Sequence, residues 1–529
     1  MKQTIITIIL VLLCMPIGVE AKKKVKKEEV PQLINYPSAE LGEYRLHGGE
    51  VVIKGHFALP KELEGQEIPA EIYELIQSRI KIYLRDYVID QEKISPFELK
   101  NDLTFSQNLR MPHPMFVWLY PSRMLYACPG DTIDVSIDIT NPGNITINGT
   151  GLSVEVSRLA DDMHEKYCTF PQEKPYEEGT DSLLRWKDMQ VARLDSLVRQ
   201  INAGLPELEG CSPLASDILR TYILLPHLER ICDNFMLYDR QPHDSIDMDA
   251  YHQKYFSFVA PREKFLLDNP LLMIAGDKFF FNRLEYGLFR PMKSNVDYYL
   301  PFDYVPKYAE ALAKSEKNWR REARRMQMEV LHDKLNISPT NFAAQVCVLR
   351  ELFCREGSSD YNLFADEVAA TMPVITHPEL IRRAVLSYRD YVKEHETQVV
   401  EEKPMTKGDS IFQRIIEPYK GNVLFVDFWE MSCGPCRATM LHMRDEVEAN
   451  KEKPVKYLYI TDDTEEACRS FLEPNNIKGE HIHITRSEWG YLQEKFQFSS
   501  IPYHFILDKD GKQRDNVTIE ELLKDQRIK

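Results

Sequence analysis

Cys433 and Cys436 stand three positions apart in VDFWEMSCGPCRATM, residues 426–440. Two thiols at this spacing support two chemistries. They can supply half of a tetrahedral metal site, or they can close on each other as a redox disulfide. The metal reading needs two more ligands at matching spacing. The sequence has no second Cys-x-x-Cys, and His481 and His483 in HIHI alternate along a strand without a partner pair. It also lacks a His-Glu-x-x-His, a phosphate-binding glycine loop and a dinucleotide fingerprint. DKDGK, residues 508–512, begins like a calcium loop but lacks its later oxygen ligands. The sequence therefore calls for no metal and no cofactor beyond the Cys433–Cys436 pair.

The redox reading draws on what surrounds the pair. NVLFVDFW is a continuous apolar stretch that reads as a buried strand, and the residues from Gly434 onward read as a helix. The N-terminus of a helix carries partial positive charge and unpaired N–H groups, which stabilise a thiolate. Cys433, at the exposed end, should gain most. Its pKa falls below the ~8.5 of a free thiol, which makes it the attacking nucleophile. Cys436 lies one turn further in and would resolve a mixed disulfide by attacking the Cys433 sulfur. Gly434 and Pro435 let the turn form, because a first-turn proline removes no needed N–H.

These residues resemble the thioredoxin superfamily. The segment 410–529 as a whole is similar to its extracytoplasmic TlpA/ResA-like branch. The likeness rests on DFW ahead of the motif, on Cys-Gly-Pro-Cys, and on SSIPYHFILDKDG downstream. The resemblance implies a cis proline at Pro502 facing the disulfide, with Ile501 and Pro502 presenting backbone groups to a substrate strand. It implies that Asp427 is the buried carboxyl taking a proton from Cys436, and that Trp429 packs beside the site. Departures bear on partner choice. Ser432 replaces the tryptophan that precedes the first cysteine in thioredoxin. Thr439 stands where the branch often has glutamate, and Leu441 replaces a helix-kinking proline. Catalytic roles thus fall to Cys433, Cys436, Asp427 and Pro502, and substrate contacts to Trp429, Ser432, Gly434, Pro435 and Ile501.

The pair sits behind some 400 residues. A chain of 529 residues exceeds one hydrophobic core and suggests about three domains. Residues 1–21 read as a secretory signal peptide: Lys2, then an apolar run from Ile5 to Leu13 too short for ~30 Å of hydrocarbon, then small residues at Val19 and Ala21. A lipid anchor at Cys14 is the less favoured alternative. Residues 22–42 read as an extended charged segment. Residues 43–151 carry short strand patterns such as EVVIKGHFAL, RIKIYLRDYVI, PMFVWLYP and DTIDVSIDIT, punctuated by turns and with no long helix between them, so they read as a β-sandwich accessory domain. Residues 152–394 switch to helical spacing, 395–410 read as a polar linker, and 411–529 alternate strand and helix. The fold class is therefore multidomain: β-sandwich, all-α middle region, C-terminal α/β thioredoxin fold. LYACPGDTIDVSID and the helical region resemble accessory domains that precede TlpA-like domains in secreted Gram-negative proteins.

Cys347 and Cys354 share one helical pattern. Seven residues of helix rise ~10.5 Å, too far for a disulfide. Cys211 and Cys232 flank a helix, and their pairing cannot be read from sequence. Cys128, Cys168 and Cys468 read as scattered thiols. The aromatic run 277–289 reads as a buried helix, with a ligand or partner groove as the alternative, and FVWLYP reads as sandwich core ahead of a sugar platform. A net charge of -16 argues against a nucleic-acid partner. The functional expectation is an exported thiol–disulfide oxidoreductase of the periplasm or cell envelope. By resemblance it is a reductase that exchanges with client proteins bearing thiols or disulfides and is recharged by a membrane electron donor. The alternative is an envelope binding or scaffold protein whose front region engages a partner, with the redox domain peripheral.

Overall fold

The structure is a computed structural model describing residues 29–37, 46–59, 68–86, 88, 91–120, 123–141, 145–239, 246–275, 279–292, 319–354, 361–396, 405–514 and 518–524. The expected signal peptide with Cys14, and residues 397–404 of the expected linker, lie outside the described residues. Among the described residues, no helix is long and apolar enough to cross a membrane.

Eight strands come first: β1 Gly49–Ala58, β2 Lys81–Asp86, β3 Gln91–Pro96, β4 Thr104–Met111, β5 Met115–Tyr120, β6 Arg123–Ala127, β7 Thr132–Asp138 and β8 Ile145–Asn148. They form two four-stranded sheets, ordered β4-β1-β7-β8 and β3-β2-β5-β6. In β1, Val51, Ile53 and Phe57 are buried while Lys54 and His56 face outward, the two-residue alternation of a half-buried strand. One short helix stands among the strands of this region. Helix α1, Ala70–Arg79, precedes β2, and its Tyr73 and Ile76 pack on the core at helical spacing.

The longest helices of the middle region are α2 Leu152–Cys168, α3 Thr180–Ala203, α4 Pro213–Asp239, α5 Trp319–Leu335, α6 Phe342–Cys354 and α7 Pro378–Glu396. Their apolar faces and the two sheets share one continuous core. The segment before the first strand is fastened to these helices. Ile34 N donates to Asn202 Oδ1 at 2.9 Å, and Asn202 Nδ2 donates back to the Gln32 carbonyl at 2.8 Å. Cys128, Cys168, Cys211, Cys232, Cys347 and Cys468 are free thiols, so Cys211 and Cys232 do not pair.

The C-terminal region begins with α8, Lys407–Ile416, inside the span read as linker. Thr406 starts it with a capping box shared with Asp409. Strands β9 Val423–Phe428, β10 Val455–Thr461, β11 Glu480–His483, β12 Tyr503–Leu507 and β13 Gln513–Arg514 form one sheet ordered β11-β10-β9-β12-β13. The first three run parallel and therefore need crossover helices: α9 Gly434–Ala449 and α10 Glu465–Leu472. Helix α11, Arg486–Phe496, leads into antiparallel β12, and α12, Ile519–Lys524, follows β13. Helix α11 is capped by Thr485 with Glu488. Every residue of β9 is buried, because helices cover both faces of the sheet. Met440, Cys468 and Leu522 build the core on one face; Phe412, Trp489 and Leu492 build it on the other.

Helix α11 also ties this sheet to the front region. Lys81 Nζ, fully buried, donates to the Gly490 carbonyl at 2.8 Å. Ile94 N donates to Gln497 Oε1 at 2.7 Å, and Tyr491 OH donates to Glu74 Oε1 at 2.7 Å. Gly490 is required by this close approach: a Cβ there would lie 2.5 Å from the Ser78 carbonyl oxygen.

Candidate redox site

Strand β9 aims the chain at the site and α9 begins it. Cys433 is the N-cap of α9, with Pro435 in the first turn. Its sulfur accepts a hydrogen bond from Cys436 N at 3.1 Å. The two cysteines are joined as a disulfide with Cα atoms 5.3 Å apart. Cys433 keeps 9% of its surface exposed while Cys436 has none, so of the two only Cys433 reaches the surface. That asymmetry is the arrangement in which one thiol attacks and the other waits.

The loop entering α9 is fixed by charge. Cys433 N donates to the Glu430 carbonyl at 3.0 Å, and Ser432 Oγ donates to Glu430 Oε2 at 3.2 Å. Arg486 Nη1 donates to Glu430 Oε1 at 3.1 Å and also pairs with Asp462. Met431 N donates to Asp463 Oδ2 at 2.5 Å. Glu430, Arg486 and Asp463 were not legible in the sequence, because their contacts span 24 to 56 residues of chain.

Asp427 shares the β9 face of Val423, Phe425 and Trp429, three members of the core cluster that also holds both cysteines. It is completely buried, and neither carboxylate oxygen has a hydrogen-bond partner among the described residues. Desolvation raises its pKa from 3.8 to about 7. Tyr459 on β10 lies directly opposite it in register. Burial, and then the Asp427 charge, raise the Tyr459 pKa. The sequence signal for Tyr459 was its place in VKYLYITDD, a strand adjacent to β9. Trp429 is also fully buried and packs near Phe471, 6.2 Å between ring centroids.

On the far side, the Ile501–Pro502 peptide is cis. Ile501 is half-buried and Pro502 exposed, just before β12. Gly434 and Pro435 are exposed at the start of α9, and Ser432 is exposed beside Cys433. Cys468 is fully buried on α10, and burial pushes its thiol up to about 11. His481 and His483 gather no metal-binding cluster; among the described residues no group of three or more His, Cys, Asp or Glu could hold a metal ion.

Known proteins place this geometry in context. Residues 407–516 match the AhpC/TSA family. The thiol-disulfide oxidoreductase ResA of Bacillus thuringiensis subsp. konkukian is 26% identical over 125 residues, covering 23% of this chain and 70% of the relative. ResA of Bacillus cereus (strain ATCC 10987 / NRS 248) is 27% identical over 129 residues, covering 24% of this chain and 73% of the relative. Among solved structures, the thioredoxin domain of a Bacteroides vulgatus thiol-disulfide oxidoreductase aligns at 20% identity over 20% of this chain and 79% of that one, with a TM-score of 0.19. StoA from Bacillus subtilis aligns at 20% identity over 20% of this chain and 84% of that one, with a TM-score of 0.17. Residues 407–516 form a thioredoxin-like domain that matches the AhpC/TSA family and carries the Cys433–Cys436 disulfide, and its similar relatives are named thiol–disulfide oxidoreductases.

Proposed function

We propose that this chain is an exported oxidoreductase that reduces disulfides in client proteins of the periplasm or cell envelope. The supporting observation is the pairing of one accessible sulfur, Cys433, with one buried sulfur, Cys436, at the N-terminus of α9. The Cys433 thiolate attacks a client disulfide. The client S–S bond breaks, one client thiolate leaves, and a mixed disulfide forms. Cys436 then loses its proton to Asp427, whose pKa of about 7 suits an acceptor at neutral pH. The Cys436 thiolate attacks the Cys433 sulfur, closing the internal disulfide and releasing the second client thiol. Two electrons have passed to the client, and a membrane electron donor restores the dithiol.

Pro502 and Ile501 offer backbone to the client strand beside the disulfide. Ser432, Gly434 and Pro435 form the exposed rim, and Trp429 backs it from the core. Export rests on the N-terminal Lys2 and apolar run. Gly-Pro between the cysteines favours the reducing direction. The test is capture in cells: Cys436→Ser should accumulate mixed disulfides through Cys433, and a Cys433→Ser partner strain should not. Failure to recover any covalent client counts against the proposal. A measured potential near about -270 mV supports a reductase, and one near about -120 mV an oxidant.

A further inference from the structure

The front region, the helices and the thioredoxin-like domain do more than touch; they enclose a cleft of about 800 Å³. Its walls include Trp118 and Met124 from the first region, Tyr222 and Phe279 from the helices, and Trp489 and Gln493 from α11. Large aromatic side chains in this chain are mostly buried. Trp118 and Phe279 are exceptions, 40% and 37% exposed, and both line the cleft. Trp118 is the outward member of β5, whose neighbours Val117 and Leu119 are buried, so the strand read from sequence as core turns one ring toward this space.

The cleft reaches the loop that leads into the redox centre. Glu430 and Arg486 are part of its lining, and Glu430 holds both Ser432 Oγ and Cys433 N. An occupant is therefore three residues of chain away from the accessible sulfur. Charge at this end is neutralised within the wall: Arg486 pairs with Glu430, and Arg85 pairs with Glu92 at 3.3 Å. The exposed lining combines the Trp118 and Phe279 rings with the polar side chains of His164 and Glu165, and the rings are the apolar anchors. The volume suits a short stretch of polypeptide and excludes a folded domain.

We infer that the cleft receives an extended segment of a client polypeptide, placing a bulky apolar side chain against Trp118 and Phe279 while the client's adjacent disulfide meets Cys433. This rests on the exchange reaction proposed above and assigns its substrate class to the front regions of the chain. The domains are held for this purpose by the Lys81–Gly490 and Ile94–Gln497 hydrogen bonds, which set α11 as the shared wall.

The experiment uses the full chain, reduced and freed of excess dithiol. Three disulfides are offered: a cystine peptide with leucine and phenylalanine beside cysteine, the same peptide with serines in their place, and a small aromatic disulfide reagent. The native chain should reduce the apolar peptide at least about ten-fold faster than the serine peptide, the scale of discrimination one apolar pocket provides. Trp118→Ala and Phe279→Ala should bring that ratio toward one while leaving the rate with the small reagent unchanged, since both positions are surface side chains. A ratio near one in the native chain, or a ratio unaffected by either variant, overturns the inference while the exchange reaction stands. Failure to reduce even the small reagent overturns the exchange reading, and this inference with it. A concentration-dependent dimer that Trp118→Ala dissolves would assign the cleft to a second copy and overturn it too.

Discussion

Asp427 and Tyr459 face each other across β9 and β10, and neither the Asp427 carboxylate nor the Tyr459 hydroxyl has a hydrogen-bond partner among the described residues. Buried polar groups are rarely left so, and each unpaired one is costly. With a pKa raised to about 7, this carboxyl populates both protonation states at neutral pH, and its ionised form can take the proton that a neighbouring thiol gives up.

Asp427→Asn should therefore slow the second step of exchange, the closure by Cys436, by about a hundred-fold near neutral pH, the lower range for a lost general base. Native closure should accelerate as pH rises through about 7, where Asp427 becomes able to accept a proton. The variant should lack that step and narrow the gap only above about 8.5, where free thiols ionise unaided. Stopped-flow Trp fluorescence on the mixed disulfide reads both profiles.

Stability should carry the same signature. The folded pKa of Asp427 is raised above 3.8, so its favourable contribution is complete below that value and is lost as pH rises through about 7. Urea unfolding at pH 5 and pH 8 should show native stability falling relative to Asp427→Asn by about 3 kcal/mol or less, since only the two or so pKa units between pH 5 and the folded pKa count, at 1.36 kcal/mol each. Equal pH slopes for both proteins would contradict a buried, neutral Asp427.

Thiol labelling of the native, reduced chain at pH 7 should mark Cys433 first. Burial raises Cys128 to about 11, Cys168 to about 12 and Cys468 to about 11, so these thiols stay protonated and slow. Peptide mapping after brief alkylation distinguishes them. Early modification of Cys468 would point to a third redox thiol.

Gly490→Ala should loosen the thioredoxin-like domain from the front sheets without disabling its chemistry. The added methyl group meets the Ser78 carbonyl, and the overpacking costs about 1–3 kcal/mol. Amide exchange at Ile94 should quicken because its acceptor is Gln497, while β9 amides keep their protection. Unchanged exchange at Ile94 would show that α11 does not hold the regions together.

The site was legible where local sequence carries the chemistry. Cys-Gly-Pro-Cys after an all-apolar strand specifies a helix N-terminus beneath a thiol, and the structure places Cys433 as the N-cap. The Thr464 cap of α10 obeys the same local logic, its hydroxyl just before EEACRSF accepting from Ala467 N. Helix α1 was not legible, since ten residues between strand patterns give a weak period. The cap of α11 went to Thr485 because its partner Glu488 lies three residues on, while Ser487 falls inside the first turn. Long-range partnerships left no trace in the sequence at all. Arg486 reaches Glu430 across 56 residues, and Lys81 reaches Gly490 across 409. The role of the front region depends on such contacts, and so it was visible only as length.

The most direct measurement mixes the fully reduced chain with one equivalent of a disulfide-bonded peptide and counts thiols in both. The account predicts two new peptide thiols for each Cys433–Cys436 disulfide formed, with Cys433→Ser giving none. Peptide recovered still oxidised, beside a chain with both cysteines still reduced, would contradict it.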